Sequence, residues 1–310
     1  MFATLLGALP RPPLPSEALG PELVTAAVRA QEAAGLDPLT DGGPPARADA
    51  GRDGSKSVAA TWRSTQALTD RAVKQAIAGP YTAGHGGPRT AERTRATLER
   101  ASALNASIRE LAAAGCPLIE IHEPASTTIG TDERERALFR EAQLRLLDGV
   151  GDTHLSLVIT GGNADAAGIE TILAAPYASL AVDLIAGPDN WRLVAAAPGE
   201  RGIICGALSA AGTSDDGPEL LLWAAGYAAS MSGRGPARVG LASASSLAHL
   251  SWPVAVRNLE RLGEAARLAD EPPETRILAL DPRAVSSRSA ALGRVEPRPS
   301  RGPDRGAEST

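Results

Sequence analysis

Short runs of apolar residues alternate along this chain with longer stretches in which apolar residues recur every three or four positions. The short runs predict eight β-strands, at residues 2–8, 37–40, 73–79, 117–122, 154–160, 180–185, 201–206 and 237–242. The longer stretches predict helices, at about residues 16–35, 89–114, 132–148, 164–175, 189–197, 217–231 and 253–270. Strands separated by helices indicate right-handed βαβ crossovers and a parallel sheet.

Eight βα units favour an α/β fold that closes into a single (βα)8 barrel. An open doubly wound sheet is the structural alternative, although the GxGxxG fingerprint typical of that fold is absent after the first strand. The length of 310 residues suits one barrel. We expect the barrel to occupy residues 1–272.

Several residues mark the expected ends of helices. Ser16 is a plausible cap for the first helix, and Thr131 for the helix that follows residue 131. Gly115 comes directly after a long run rich in Ala, Arg, Glu and Leu, where a glycine commonly ends a helix.

Two segments fall outside the alternation of strands and helices. Residues 42–56 consist of Gly, Pro and charged residues without an apolar period, and they predict a flexible loop after the second strand. The Pro- and Arg-rich segment 273–310 offers too little apolar surface to offset the entropy of ordering, so we expect a largely disordered tail.

The net charge bears on the classes of partner that the protein can bind, and the cysteine content bears on its cellular compartment. The net charge of −5 argues against nucleic acid and against an anionic membrane surface as partners, so a small-molecule substrate is expected. Cys116 and Cys205 both lie in apolar runs, which predicts buried, inert thiols. The amino-terminal apolar run is too short for a signal peptide or a membrane span. We therefore expect a cytoplasmic protein.

Motifs at several predicted strand ends occur in a common order. They are LLGALPRP at 5–12, QEAAGLDPLTDGG at 31–43, VKQAIAGPYT at 73–82, RELAAAGCPLIEIHEPA at 109–125 and ITGGNAD at 159–165. Together they resemble the cobalamin-independent methionine synthase family, within the superfamily of barrels that it shares with uroporphyrinogen decarboxylase. The resemblance implies a (βα)8 barrel that transfers a methyl group from a reduced folate to the thiol of homocysteine on a zinc ion.

The zinc ligands that the resemblance implies are missing from the aligned positions. Val158 and Thr160 stand where the family has a His-x-Cys pair, and Ser245 stands where it has a cysteine. Asp183 can occupy the position of the acidic ligand, and a shifted register would place His154 at the wrong end of its strand. A zinc site normally uses three or four Cys, His or carboxylate ligands. Zinc is therefore not expected, and no metal ligand is predicted.

Four titratable residues are expected to converge at the mouth of the barrel. We assign catalytic roles to His122, Glu123 and Asp183, and substrate binding to Asp41. Glu123 either orients His122 as a general base or accepts hydrogen bonds from loop amides. The resemblance implies that His122 replaces the aspartate that holds the amino group of homocysteine, which puts homocysteine recognition in question.

Two aromatic residues lie close to predicted strand ends. Tyr81 and Trp191 are candidates for stacking on a pterin-like ring, as the resemblance implies, and the alternative for both is packing at the rim. His85 is expected to be a solvated loop residue, and His249 a packed one.

Two functions remain open. The first is a methionine synthase-like S-methyltransferase that acts from a reduced folate or a similar donor on homocysteine or another thiol. The second is a non-catalytic barrel that binds a small molecule or a partner protein.

Overall fold

The structure, a computed structural model, describes residues 1–46, 57–86, 88–211 and 218–272. A parallel sheet of seven strands forms its centre, in the spatial order β1-β7-β6-β5-β4-β3-β2. The strands are β1 Phe2–Thr4, β2 Gln75–Ala78, β3 Leu118–His122, β4 His154–Ile159, β5 Ser179–Asp183, β6 Gly202–Leu208 and β7 Val239–Ser243. The predicted tail 273–310 and most of the predicted loop 42–56 lie outside the described residues.

The second predicted strand is present as an irregular segment rather than as a regular strand, so the expectation of eight regular strands was wrong. The backbone N–H of Asp37 donates to the carbonyl of Ala3 at one edge of the sheet, at 2.9 Å. The N–H of Leu39 donates to the carbonyl of Ala72 near the other edge, at 2.8 Å. Pro38 between them has no N–H to extend a ladder. This segment therefore connects the two edges of the curled sheet, where a closed barrel would have its remaining strand. The predicted barrel class is confirmed.

Helices cover the outside of the sheet. They are α1 Gly20–Ala34, α2 Val58–Gln66, α3 Pro80–Ala83, α4 Ala91–Ala113, α5 Glu133–Leu147, α6 Ile169–Ile172, α7 Trp191–Ala196, α8 Glu219–Ser230 and α9 Trp252–Asp270. None of the helices in the described part of the chain has the length and apolar character needed to cross a bilayer. Helix α2 was not among the predicted helices. In it, the indole N–H of Trp62 donates to the carbonyl of Val73 at 2.8 Å.

Two predicted helix caps were wrong. Ser16 does not cap α1, because its hydroxyl donates to the carboxylate of Glu17 and the helix begins only at Gly20. Asp132 rather than Thr131 caps α5, since its carboxylate accepts the N–H groups of Arg134 and Glu135.

The predicted helix stop at Gly115 is confirmed. α4 ends at Ala113, and Gly115 adopts a φ of 88°, which is favourable for glycine alone.

The sheet has a small inner core and a large outer core. Alternate residues of the strands point inward, where Leu6, Val158, Ala181, Ile204 and Ala242 pack together. The intervening residues point outward and pack against the helices, which produces the large core of the protein. Polar side chains on the inner face are therefore enclosed by the sheet.

Candidate functional site

Three polar side chains form a hydrogen-bonded chain on the inner face of the sheet. The ammonium Nζ of Lys74 lies 2.6 Å from Oε1 of Glu120, and Oε2 of Glu120 lies 3.2 Å from Nε2 of His122. The side chains of Lys74 and Glu120 are 0% and 1% exposed, whereas that of His122 is 8% exposed. His122 is therefore the member of the chain closest to solvent.

The strand geometry places these three residues together. Glu120 and His122 are two positions apart in β3, so they share one face of the strand. β2 pairs in parallel with β3, with Ala76 opposite Glu120 and Ala78 opposite His122. Lys74 lies two residues before Ala76 and thus on the same inner face. His122 is the last residue of β3, at the carboxyl end of the sheet, where barrel enzymes hold their active sites.

The charges in this chain stabilise one another. Burial by itself raises the pKa of Glu120, but the ammonium of Lys74 and the imidazole of His122 outweigh it and hold the pKa below its ordinary value. Burial lowers the pKa of Lys74, and the carboxylate of Glu120 opposes that effect. A buried carboxylate with an ammonium and an imidazole beside it is ionised at neutral pH.

A buried hydroxyl next to this chain has no partner among the described residues. Ser156 lies opposite Glu120 in the register of β3 and β4 and is fully buried. Its Oγ makes no hydrogen bond within the described part of the chain. Buried hydroxyls are normally paired, so this position suits a polar group of a ligand or a water molecule.

Glu123 points to the opposite side of the sheet from His122. Its carboxylate accepts the backbone N–H groups of Tyr81 at 3.0 Å and Thr82 at 2.7 Å, and the amide of Gln143 at 2.7 Å. Burial nevertheless raises the pKa of Glu123 above its ordinary value. The partner of His122 is thus Glu120. Glu123 accepts hydrogen bonds from loop amides, as in the second of its two predicted roles, and a catalytic role for Glu123 stays a prediction.

Tyr81 is completely buried between helices. Its hydroxyl donates to Glu135 at 2.6 Å, its ring meets Phe139 edge to face, and the guanidinium of Arg93 lies over the ring. Burial, followed by the contact with Glu135, raises the pKa of the Tyr81 hydroxyl. Tyr81 is fully buried by these contacts, which are those of the packing alternative, and its predicted role in substrate binding stays a prediction.

Asp183 and Asp41 lie at the same end of the sheet as His122. Asp183 ends β5, and its carboxylate accepts N–H groups of Gly161, Ile185 and Ala186 at 2.8–3.0 Å. Asp41 follows the irregular segment that connects the two edges of the sheet. Its Oδ1 accepts the N–H of Gly43 at 2.9 Å. Burial raises the pKa of Asp41. The structure therefore brings both to the mouth region, with their oxygens engaged in turns.

Trp191 belongs to an aromatic cluster on the outside of the barrel. Its ring centroid lies 5.3 Å from that of Trp223 and 4.9 Å from that of Tyr227. This is the contact pattern of the rim-packing alternative, and the predicted stacking on a pterin stays untested.

The positions that the resemblance aligns with zinc ligands have other contacts in the structure. Val158 packs in the inner apolar cluster, and the oxygens of Asp183 are engaged by three backbone N–H groups. His154 lies at the amino end of β4 and contacts Ser179, far along the strand from the mouth. No group of three His, Cys, Asp or Glu residues in the described ranges is arranged to hold a metal ion.

Lys74 and Glu120 were missed in the sequence analysis. A signal for Glu120 was present, because the spacing Glu-x-His inside an apolar strand puts both side chains on one face. Nothing in the local sequence indicated Lys74, since its partner is 46 positions away.

The fold and the site define a class of protein: a parallel α/β barrel with a buried Lys74–Glu120–His122 hydrogen-bonded chain that ends at the carboxyl end of β3. Residues 47–149 match the model of the cobalamin-independent synthase family, catalytic domain. The matched segment is about a third of the chain and contains Lys74, Glu120 and His122. The predicted resemblance to this family is thus confirmed over residues 47–149. No relative of curated function matches the sequence.

Solved structures share the fold over most of the chain. One is a B12-independent methionine synthase from Shewanella sp. W3-18-1 in complex with selenomethionine, with 15% identity and a TM-score of 0.68, covering 90% of this chain and 99% of that one. Another is a putative vitamin-B12 independent methionine synthase from Listeria monocytogenes, with 13% identity and a TM-score of 0.65, covering 86% and 97%. At these identities the likeness shows the fold.

Proposed function

We propose that this chain is a methyltransferase of the methionine synthase type in which His122, rather than a zinc ion, activates the acceptor thiol. The observation that carries the proposal is the buried chain Lys74–Glu120–His122, which ends at the mouth of the barrel. The family match over residues 47–149 supports methyl transfer as the class of reaction.

The hydrogen bond to Glu120 assigns the tautomer of His122. With a proton on Nε2 directed at the carboxylate, Nδ1 carries the lone pair and can accept a proton. Glu120 stabilises the imidazolium that forms, and Lys74 holds Glu120 in its ionised state. This arrangement is the one by which an oriented imidazole acts as a general base.

The proposed step moves one methyl group and one proton. The acceptor thiol gives its proton to Nδ1 of His122 while its sulfur forms a bond to the methyl carbon of the reduced folate. The bond between that carbon and the folate nitrogen breaks, and its electron pair stays on the nitrogen. The imidazolium then returns the proton to this nitrogen, which restores neutral His122.

The acceptor that suits this site is a thiol without an ammonium group. The resemblance implies that His122 stands in for the aspartate that holds the amino group of homocysteine. A neutral imidazole offers one acceptor position, and a protonated one repels an ammonium. We therefore propose that 4-mercaptobutyrate, which is homocysteine without its amino group, serves at least as well as homocysteine.

A non-catalytic barrel is the second candidate. The engagement of Glu123 and Asp183 in backbone hydrogen bonds favours it, since neither carboxylate is free to act on a substrate. Under this proposal the barrel binds a small molecule at the same mouth and turns nothing over.

The test is methyl transfer by the full chain from 5-methyltetrahydrofolate to each thiol, with S-methyl product measured by mass spectrometry in the presence of a zinc chelator. General-base catalysis contributes about 100-fold or more to a rate, so His122→Gln should lower turnover by at least that factor, and Glu120→Gln should also lower it. The matched control is His249→Gln, because His249, which was wrongly predicted to be packed, is exposed and its Nε2 lies 2.8 Å from the carbonyl oxygen of Ala210.

Three results would count against the proposal. Turnover that the chelator abolishes would restore a metal mechanism, and turnover by His122→Gln equal to that of the unmodified chain would remove His122 from the reaction. Binding of the folate without any product would favour the non-catalytic barrel. A cytoplasmic location and a small-molecule rather than nucleic-acid partner remain part of the proposal, and the two buried, unpaired cysteines support the former.

A further inference from the structure

A cavity lies at the opposite end of the barrel from His122. Its volume is about 670 Å³, and residues at the amino ends of the strands line it. The apolar part of the lining includes Phe2, Leu118 and Ile204. Ligand cavities are typically of this size, with mainly apolar walls and a few polar groups. The acid–base chain at the mouth does not extend to this cavity.

The lining of this cavity carries two guanidinium groups without a hydrogen-bonded carboxylate among the described residues. Arg201 donates to the carbonyl of Leu173 at 3.1 Å, and Arg238 has only a long contact, of 3.5 Å, with the carbonyl of Arg234. Glu200 is the only carboxylate among the lining residues, against these two cations. Burial lowers the pKa of Arg201 and the carboxylate of Glu200 opposes this effect only in part, so the charge would gain from a further anion.

A neutral hydrogen-bonding pair lies in the same cavity. Nε2 of His154 is 2.9 Å from Oγ of Ser179. Burial lowers the pKa of His154, so the imidazole is neutral at pH 7 and adds polarity without charge. Gly202 packs closely against Ser179, because a β-carbon there would lie 3.1 Å from the β-carbon of Ser179.

We propose that this cavity binds a small organic monocarboxylate with an apolar body, whose carboxylate pairs with Arg201 and Arg238. Guanidinium groups bind carboxylates through paired hydrogen bonds, and one anion neutralises the excess charge of the lining. The apolar walls then cover the body of the ligand. This site is independent of the proposed methyl transfer, since it shares no residue with the Lys74–Glu120–His122 chain.

The test compares two probes of the same shape, 2-naphthoate and the neutral 2-naphthamide, by calorimetric titration of the full chain. The double variant Arg201→Met, Arg238→Met should weaken binding of 2-naphthoate by about tenfold or more and change binding of 2-naphthamide by less than about threefold. Ala178→Phe places a ring in the cavity from an exposed lining position and should weaken binding of both probes. Arg257→Met removes a charge from α9, away from the cavity lining, and is the matched control.

The comparison of the two probes separates loss of recognition from loss of folding, because an unfolded variant loses both. Absence of binding of 2-naphthoate at about 1 mM would overturn the proposal. Equal binding of 2-naphthoate to the double variant, or undiminished binding to Ala178→Phe, would overturn it as well. Binding that persists in His122→Gln is expected, and it distinguishes this site from the mouth.

Discussion

A β-carbon placed on Gly79 would lie 2.2 Å from the carboxyl carbon of Glu123. The two residues come from the motifs GPYT and HEPA, and their close approach lets the buried carboxylate reach the N–H groups of the turn that begins α3. This contact joins the ends of two neighbouring strands. It explains in physical terms why a glycine stands before the proline of the first motif and a glutamate before the proline of the second.

Gly79→Ala should therefore lower the free energy of unfolding by about 1–3 kcal/mol, because the added methyl group overlaps the carboxylate. Urea unfolding followed by circular dichroism measures the change. The control is Gly226→Ala, at a helical site in α8 with open space around it, which should raise the free energy of unfolding by about 0.4–1 kcal/mol. If both substitutions had the same effect, the overlap with Glu123 would not be the cause.

The buried pair of Lys74 and Glu120 should be sensitive to loss of one partner. Lys74→Met leaves the carboxylate without its ammonium and should cost about 3–5 kcal/mol of unfolding free energy, whereas the double variant Lys74→Met, Glu120→Leu should cost less than the single one. Urea unfolding of the unmodified chain, of the single variants Lys74→Met and Glu120→Leu, and of the double variant gives the coupling energy of the pair. Arg95→Met breaks the exposed pair of Arg95 and Glu99 in α4 and should cost under about 1 kcal/mol. A double variant less stable than Lys74→Met would contradict this account.

The free energy of unfolding should depend on the protonation of His154 at pH values below 6.5, the ordinary pKa of a histidine. Because burial lowers the pKa of His154 in the folded state, the unfolded chain takes up a proton at a higher pH than the folded one. The stabilisation is thus present above pH 6.5 and is lost as the pH falls toward the lowered value.

The measurement is urea unfolding of the unmodified chain and of His154→Gln at several pH values between about 7.5 and 5.5. The difference in unfolding free energy between the two should shrink as the pH falls across this range. His154 retains contact with solvent, which screens its charge, so the decrease should stay under about 1 kcal/mol. A difference that is constant over this range would show that His154 titrates normally.

The two thiols should be inert in the folded protein. Burial raises the pKa of both Cys116 and Cys205 to about 12, so almost no thiolate is present at neutral pH. An aromatic disulfide reagent should label neither in the native state and both in urea. Ser102→Cys, at an exposed position of α4, provides a thiol that should react at once. Rapid labelling of the unmodified chain would show that one of the thiols is accessible.

The sequence predicted the succession of elements well because most of the signal is local. The apolar run LIEIH marks a buried strand, and Gly115 marks the end of the helix before it, and both were found as expected. α2 was missed because its amphipathic pattern spans only nine residues and its buried face is completed by Val73, across the turn. The irregular segment around Pro38 was taken for a regular strand because its apolar residues look the same until the missing N–H is considered.

The sequence by itself thus determined the barrel class, the family resemblance and the end of the sheet at which His122 lies, since periodicity and short motifs are properties of neighbouring residues. Only the tertiary structure decided which side chains act together. Lys74 pairs with Glu120, which is 46 positions away in the sequence. The carboxylate of Glu123 accepts the backbone N–H of Tyr81 instead of pairing with His122. The physical reason is that strand pairing sets these contacts: one step along β3 reverses the direction of a side chain, and the register with β2 selects its partner.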